Sequence, residues 1–145
     1  MTRINFEKIV KAERDKIFKI VTDYEKLQKI IPQYFISIRV ISSRDNVTVI
    51  EEHLNLAGYE LVMMTKHVIK FPEIHEVFVI GGDVKGSHIV EKYEKIPEGT
   101  KITVDVDLKL RGPLRIVAYF AKSKITKGFS RIMDEFAKIA ENQSD

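Results

Sequence analysis

Residues 101–142 read KITVDVDLKLRGPLRIVAYFAKSKITKGFSRIMDEFAKIAEN, and the spacing of the apolar residues changes within this stretch. Over residues 101–110, isoleucine, valine and leucine alternate with polar residues, which is typical of a strand with one buried and one solvated face. Gly112 and Pro113 then interrupt the strand. Over residues 114–142 the apolar positions recur at helical spacing, at Val117, Ala121, Ile125, Phe129, Ile132, Phe136 and Ile139. The stretch therefore predicts an amphipathic strand followed by a helix of about 30 residues.

The middle of the chain alternates between strand patterns and turns. Apolar residues follow a period of two over residues 35–42, 47–55, 60–71, 74–80 and 88–96. The gaps contain turn-forming sequences such as Arg44-Asp45-Asn46 and Gly81-Gly82-Asp83. Because such short gaps favour hairpins, these five segments and residues 101–110 predict an antiparallel meander.

The N-terminal part of the chain predicts one further strand and two short helices. Residues 4–10 have the pattern of a strand, and a helical spacing follows from Ala12 to Tyr24. A second helical segment, residues 26–31, ends at Pro32 because proline disfavours helix at the residue before it.

Length and composition limit the classes of protein to which the chain can belong. Its 145 residues suit one domain, so we expect residues 1–145 to form a single domain. No apolar run approaches the ~20 residues that cross a bilayer, and the charged N-terminus does not resemble a secretory signal, so we expect a cytoplasmic location. The net charge of +3, with lysine and glutamate interleaved, gives little support to nucleic-acid binding. The absence of cysteine excludes disulfides, thiolate nucleophiles and cysteine-ligated metal sites.

The long helix determines the expected fold class. It can reach roughly 40 Å at about 1.5 Å per residue, so its apolar stripe needs an extended surface to pack against. A curved seven-stranded sheet provides that surface, and four glycines near strand ends allow the sheet to bend: Gly58, Gly81, Gly82 and Gly86. We therefore predict an α+β fold in which a curved antiparallel sheet wraps around a long C-terminal helix, with two short helices between strands one and two.

This order of elements resembles the helix-grip fold of the START-like superfamily, also called SRPBCC, over almost the whole chain. Residues 4–27, INFEKIVKAERDKIFKIVTDYEKL, are similar to the strand and helix pair with which the family begins, with Glu13 where proline is usual and Phe18 where tryptophan is common. Similar members include polyketide cyclases and dehydratases, quinone-binding proteins, lipid carriers and plant hormone or pollen-allergen proteins. The resemblance implies a hydrophobic cavity between the sheet and the long helix, but it does not imply one reaction.

Polar residues interrupt the apolar faces of two middle strands. If even-numbered residues 48–56 and odd-numbered residues 61–69 are buried, then Glu52, Thr65 and His67 point into the concave side of the sheet. A buried carboxylate is costly unless it is paired or protonated, and imidazole is a natural partner because its pKa lies near neutrality. Glu52 and His67 are therefore candidates for an acid–base pair. The alternative is the opposite strand phase, or a bulge that leaves these groups near solvent.

Glu91 raises the same question on the next-to-last strand. It is a candidate to hold a ligand hydroxyl, and beside Glu52 and His67 it is a third candidate to transfer a proton. The alternative is a glutamate on the convex face, close to two lysines. Tyr93 shares the face of Glu91 and is ambiguous, because tyrosine commonly buries its ring and directs its hydroxyl to a partner.

Further candidates for the ligand site are apolar or aromatic, although methionine often simply fills core space. The full candidate ligand-binding set is Met63, Thr65, His67, Phe78, Glu91, Tyr93, Tyr119 and Phe120. Gly128 lies in the middle of the long helix, where glycine costs about 1 kcal/mol relative to alanine. It either makes room for a ligand or allows the helix to pack closely against a strand.

Neither a metal nor a cofactor is predicted. The four histidines, His53, His67, His75 and His88, do not form an H-x-x-x-H or H-E-x-x-H spacing. Residues 81–86 are glycine-rich, but they lack the Lys-Ser/Thr ending of a phosphate-binding loop. Basic residues concentrate around the first half of the long helix, where they either attract an anionic ligand or form an ordinary solvated face: Lys109, Arg111, Arg115, Lys122, Lys124, Lys127 and Arg131.

The residues and the resemblance together leave three functions open. The leading hypothesis is a carrier or sequestering protein that holds a lipid, an isoprenoid or quinone, or an aromatic polyketide-like molecule, with at most transient membrane contact. The second is a cyclase or dehydratase in which His67 and Glu52 or Glu91 shuttle protons and Tyr93 or Tyr119 orients an oxygen, which requires these groups to converge around a closed pocket. The third is a protein-binding domain similar to chaperone activators, which requires an exposed apolar patch. The sequence does not determine the oligomeric state.

Overall fold

A computed structural model describes residues 2–143, except for the side chains of Leu114, Val117 and Ala118. The elements are β1 (Thr2–Val10), α1 (Arg14–Val21), α2 (Tyr24–Ile30), β2 (Phe35–Arg44), β3 (Val47–Leu56), β4 (Tyr59–Lys70), β5 (Ile74–Gly82), β6 (His88–Ile96), β7 (Gly99–Leu108) and α3 (Pro113–Asn142). The predicted α+β order of elements is confirmed. The expected place of Val117 on the apolar stripe of α3 lies outside the described residues.

The seven strands form one antiparallel sheet in the order β1-β7-β6-β5-β4-β3-β2. The helices α1 and α2 carry the chain from the edge strand β1 to the opposite edge strand β2. Register shifts interrupt the pairing of β2 with β3 and of β4 with β5, and such irregularities bend a sheet. The result is the predicted helix-grip arrangement.

The concave face of the sheet packs against α3. On β3, burial alternates so that Ile50, Leu54 and Leu56 point inward, and α3 contributes Ile132 and Phe136 to the same core. The short helix α1 closes one end of the core with Phe18, which is completely buried.

Gly128 allows close contact between α3 and the β3–β4 turn. A Cβ atom at this position would lie 3.0 Å from Leu56 Cδ1 and 3.2 Å from Ala57 Cβ. This geometry favours the packing explanation for the glycine, since the β3–β4 turn fills the space beside it.

Within residues 2–143, no helix combines the length and the hydropathy that crossing a bilayer requires.

Candidate functional site

A cavity of about 90 Å³ lies between the sheet and the helices, with lining residues from α1, α2 and α3. Its apolar lining consists of Phe6, Val21, Leu27, Phe35, Leu54, Val77, Ile89, Val104, Phe129, Ile132, Met133 and Phe136. Its polar lining consists of Tyr24, Glu52, His67, His75 and Glu91. A mostly apolar cavity with a few converging polar groups is typical of small-molecule sites, which usually enclose about 300–1,000 Å³. A ligand of drug-like size therefore requires the walls of this cavity to move apart.

The polar lining belongs to a continuous series of buried hydrogen bonds that we call the polar chain. It consists of Tyr24, Glu52, Thr65, His67, His75, Glu91 and Tyr93. At one end, the Thr65 hydroxyl donates to Glu52 Oε2 at 3.0 Å. His67 Nε2 lies 2.9 Å from Thr65 Oγ1 and 3.6 Å from Glu52 Oε2.

The two histidines connect this end of the polar chain to the other. His67 Nδ1 lies 3.0 Å from His75 Nε2, and the two rings are stacked. His75 Nδ1 lies 2.8 Å from Glu91 Oε1, which also accepts a hydrogen bond of 2.7 Å from the Tyr93 hydroxyl. The Tyr24 hydroxyl lies 3.2 Å from His75 Nε2 and joins the polar chain from α2.

Strand geometry explains why these side chains meet. Thr65 and His67 are two residues apart on β4, so they share one face of the sheet, as Glu91 and Tyr93 do on β6. His75 on β5 stands directly opposite Glu91 in the strand register. The polar chain thus crosses the inner face of four neighbouring strands, from β3 to β6.

Burial and mutual contact set the protonation states of the polar chain. Burial lowers the pKa of His67 below its ordinary value of 6.5, which keeps this ring neutral at physiological pH. Burial alone would raise the pKa of Glu91, but the charge of His75 and the hydrogen bonds from His75 and Tyr93 lower it on balance. For Tyr24 and Tyr93, burial and then the negative charge of Glu91 raise the pKa, so both hydroxyls keep their protons.

These directions predict that acid destabilises the protein. Below its ordinary pKa of 6.5, His67 takes up a proton in the unfolded chain, whereas the buried ring stays neutral in the folded state. Because the unfolded state then binds more protons, the free energy of unfolding decreases as the pH is lowered, by up to about 1.4 kcal/mol per pH unit for one group. Glu91 adds to the loss below its ordinary value of 4.5, since its pKa in the folded state is lower.

Urea unfolding at a series of pH values, followed by circular dichroism, measures this dependence. His67→Gln should flatten the curve just below pH 6.5, the ordinary histidine pKa, and leave the fall below 4.5 in place. Identical curves for the two proteins in the upper range would contradict the assignment to His67.

Five of the sequence candidates meet in the polar chain, namely Glu52, Thr65, His67, Glu91 and Tyr93. Glu52 and His67 point inward, and Glu91 lies on the concave face instead of the convex face beside the lysines. Thr65 and Tyr93 do not line the cavity directly; they support Glu52 and Glu91 from beside it.

Four candidates for ligand binding, Met63, Phe78, Tyr119 and Phe120, do not line the cavity. Met63 is buried in the core but does not line the cavity. Phe78 stacks on His88 on the opposite face of the sheet, because the inward positions of β5 have odd numbers. Tyr119 and Phe120 are 83% and 80% exposed, since the described side chains of α3 before Ile125 are all exposed or only half-buried.

Two residues of the site, His75 and Tyr24, were not among the sequence candidates for ligand binding or catalysis. His75 alternates with Val77 and Val79 on β5, so the phase argument applied to β3 and β4 would have placed it inside. No comparable signal exists for Tyr24, because its contact depends on how α2 packs on the sheet.

Across residues 2–143, no group of three or more histidine, aspartate or glutamate side chains is arranged to hold a metal ion.

Comparison with known proteins agrees with this architecture. The family model described as polyketide cyclase / dehydrase and lipid transport matches residues 10–137. No curated protein matches the chain.

Solved structures show the same fold at low sequence identity. The protein TTHA0849 from Thermus thermophilus has a TM-score of 0.85 at 12% identity, over 98% of this chain and 100% of that chain. The Zhui aromatase/cyclase from a Streptomyces species has a TM-score of 0.81 at 10% identity, over 97% and 93%. A START superfamily protein from Mycobacterium smegmatis has a TM-score of 0.72 at 16% identity, over 96% and 94%. These similarities show the fold alone, whereas the family match spans most of the sequence, and the chain therefore belongs to the polyketide cyclase/dehydrase and lipid transport family.

Proposed function

We propose that the protein binds an apolar small molecule that carries an oxygen atom, and that the polar chain holds this oxygen inside the cavity. The observation that carries the proposal is the distribution of polar residues around the cavity. The sheet and α2 contribute five polar side chains, whereas the residues that α3 contributes are apolar. Burying two carboxylates and two imidazoles costs free energy that well-packed apolar residues would not. A ligand that needs these groups explains their presence in the core.

Tyr24 is the member of the polar chain that is best placed to contact the ligand. Both the Tyr24 hydroxyl and His67 Nδ1 contact His75 Nε2. The distance from His67 Nδ1 is 3.0 Å and that from the Tyr24 hydroxyl is 3.2 Å. One ring nitrogen offers a single site for a hydrogen bond in the plane of the ring. The Tyr24 hydroxyl therefore loses little when it turns to donate to a carbonyl or hydroxyl oxygen in the cavity.

Native mass spectrometry of protein purified without denaturation, together with organic extraction, tests the binding proposal. We expect a stoichiometric apolar molecule that contains oxygen. Tyr24→Phe should weaken its binding by about three- to tenfold, the effect of one hydrogen bond, while Tyr119→Phe, at an exposed position outside the cavity, should not. Failure of the protein to bind any apolar molecule would contradict the proposal, and equal affinity of Tyr24→Phe would contradict the role of the hydroxyl.

A second candidate function is proton transfer of the cyclase or dehydratase type. It is favoured by the convergence of His67, Glu52, Glu91 and Tyr93 within one series of hydrogen bonds. That convergence is the geometry on which the enzymatic hypothesis depends.

The polar chain accommodates two arrangements of hydrogen atoms with the same number of protons. In the first, His75 carries two N–H groups, and hydrogen bonds run from His75 to His67, then to Thr65, then to Glu52. In the second, these three bonds run in the opposite direction and Glu52 carries the proton. Interconversion moves a proton equivalent between His75 and Glu52 while every heavy atom stays in place.

A bound ketone provides a test of this second function. Glu52, as a carboxylate, would take an α-proton from the ketone while Tyr24 donates a hydrogen bond to the developing enolate oxygen. Return of a deuteron from Glu52 after exchange with the solvent gives the α-deuterated ketone. We expect the wild-type protein to accelerate deuteration of cyclopentanone in D2O, and Glu52→Gln to abolish the acceleration. The control is Glu51→Gln, on the outer face of β3. Equal deuteration rates for Glu52→Gln and this control would contradict catalysis by Glu52.

A further inference from the structure

A surface groove lies beside the cavity, between the start of β2, the β3–β4 turn and α3. Its volume is about 690 Å³, which falls in the usual range of small-molecule sites. The lining contains three cations, Lys124, Lys127 and Arg131, and no acidic residue. The groove is therefore a positively charged surface next to an apolar interior.

The three cations lie on one side of α3 because they are spaced by three and four residues. In the part of the chain that the structure describes, no ion pair joins Lys124, Lys127 or Arg131 to a carboxylate. Lys124 instead lies over the ring of Tyr59, at 5.9 Å from its centroid. Because three positive side chains line the groove without an acidic neighbour in the lining, they favour the binding of an anion there.

The groove and the cavity are formed by neighbouring residues. Tyr34 and Asn55 line the groove, while Phe35 and Leu54, adjacent to them in the chain, line the cavity. On α3, Phe129 lines the cavity between the groove residues Lys127 and Arg131. Phe35 and Phe129 are only partly buried, so both of these cavity-lining side chains reach the surface beside residues of the groove.

We propose that the ligand is an amphipathic anion. Its apolar body enters the cavity past Phe35 and Phe129, and its acidic group stays in the groove with Lys124, Lys127 and Arg131. This inference rests on the proposed binding function and specifies the chemical class of the ligand. A carboxylate and a phosphate share the chemistry that the groove would recognise.

A matched pair of fluorescent probes separates the charge from the apolar body. 8-Anilinonaphthalene-1-sulfonate carries an anionic group, whereas N-phenyl-1-naphthylamine has a similar ring system without charge. We expect the double variant Lys127→Glu, Arg131→Glu to raise the Kd of the anionic probe by about tenfold or more and that of the neutral probe by less than about twofold. In the wild-type protein, added salt should weaken binding of the anionic probe alone.

The control is the double variant Lys122→Glu, Lys138→Glu, which makes the same change of charge on α3 outside the groove. It should bind the anionic probe within about twofold of wild type. The proposal would be overturned if the two double variants lost the same affinity for the anionic probe. It would also be overturned if Lys127→Glu, Arg131→Glu bound this probe as tightly as the wild-type protein. A wild-type protein that binds neither probe would contradict the binding function itself, so the two failures are distinguishable.

Competition against the neutral probe then identifies the acidic group. Decanoate and decyl phosphate should displace the probe at lower concentrations than decanol, and the more potent of the two anions identifies the preferred group. Decanol displacing the probe as well as both anions would count against an amphipathic anion as the ligand.

Discussion

Replacing Glu91 with alanine is expected to reduce the free energy of unfolding by about 3–5 kcal/mol, the range for breaking a buried, hydrogen-bonded charge pair from one side. Glu91 accepts hydrogen bonds from His75 at 2.8 Å and from Tyr93 at 2.7 Å. The variant leaves the His75 Nδ1 group and the Tyr93 hydroxyl buried with no partner at this position. Urea denaturation at neutral pH measures the loss.

Two further substitutions show whether the cost comes from the hydrogen bonds. Glu91→Gln keeps one oxygen acceptor at the same position and should lose less stability than Glu91→Ala. Glu94→Ala removes an exposed carboxylate from the same strand and should change stability by less than about 0.5 kcal/mol. A loss for Glu91→Ala as small as that for Glu94→Ala would contradict a buried Glu91 carboxylate that accepts the hydrogen bonds of His75 and Tyr93.

Phe18→Ala is expected to have an effect of similar size, about 3–5 kcal/mol, because it empties a fully buried aromatic site. Phe18 on α1 packs edge-on against Phe71 and Tyr93, at centroid distances of 5.5 Å and 4.9 Å. The variant removes apolar contacts and one of the walls that hold the Tyr93 ring in place. Thermal unfolding followed by circular dichroism provides the measurement.

Phe120→Ala is the matched control, since it makes the same chemical change at a side chain that is 80% exposed. We expect it to alter stability by less than about 0.5 kcal/mol. Similar melting temperatures for the two variants would contradict the placement of Phe18 in the core and of Phe120 at the surface.

The long helix and the sheet could be predicted because their sequence periods are strong. The alternation in β7 and the helical spacing in α3 each persist for many residues, so local errors do not change the assignment. The ends of elements depend on local geometry that periodicity does not describe: β7 ends at Leu108, two residues before the predicted end. Gly112, with a φ of 57°, then leads into α3, and such a positive φ suits glycine.

The candidate site could be predicted only where a polar residue interrupts an apolar face. This signal identified Glu52, Thr65 and His67, which lie on the buried faces of β3 and β4. His75 carries the same signal, because it alternates with Val77 and Val79 on the buried face of β5. Tyr24 could not be predicted, because the position of α2 over the sheet depends on tertiary packing.

The exposed aromatic residues of α3 illustrate a different limit. Tyr119 and Phe120 are apolar enough to suggest a ligand site, but the sequence does not reveal which face of the first turns meets the sheet. In the structure they contact each other, with ring centroids 5.2 Å apart, and remain exposed together with Ile116. Phe120 lines the surface groove and not the cavity, so an apolar composition alone did not distinguish a cavity wall from a surface.

The four histidines make the central claim directly measurable, because two of them belong to the polar chain and two do not. His67 and His75 lie in the cavity wall, whereas His88 pairs with Glu76 on the opposite face and His53 lies near Glu60. Proton–nitrogen correlation spectra of the ring nitrogens should be recorded before and after addition of the apolar ligand that copurifies with the protein, or of N-phenyl-1-naphthylamine. We predict that the signals of His67 and His75 shift while those of His53 and His88 do not. A bound ligand that leaves His67 and His75 unchanged, or that shifts only His53 or His88, would contradict binding in the cavity beside the polar chain.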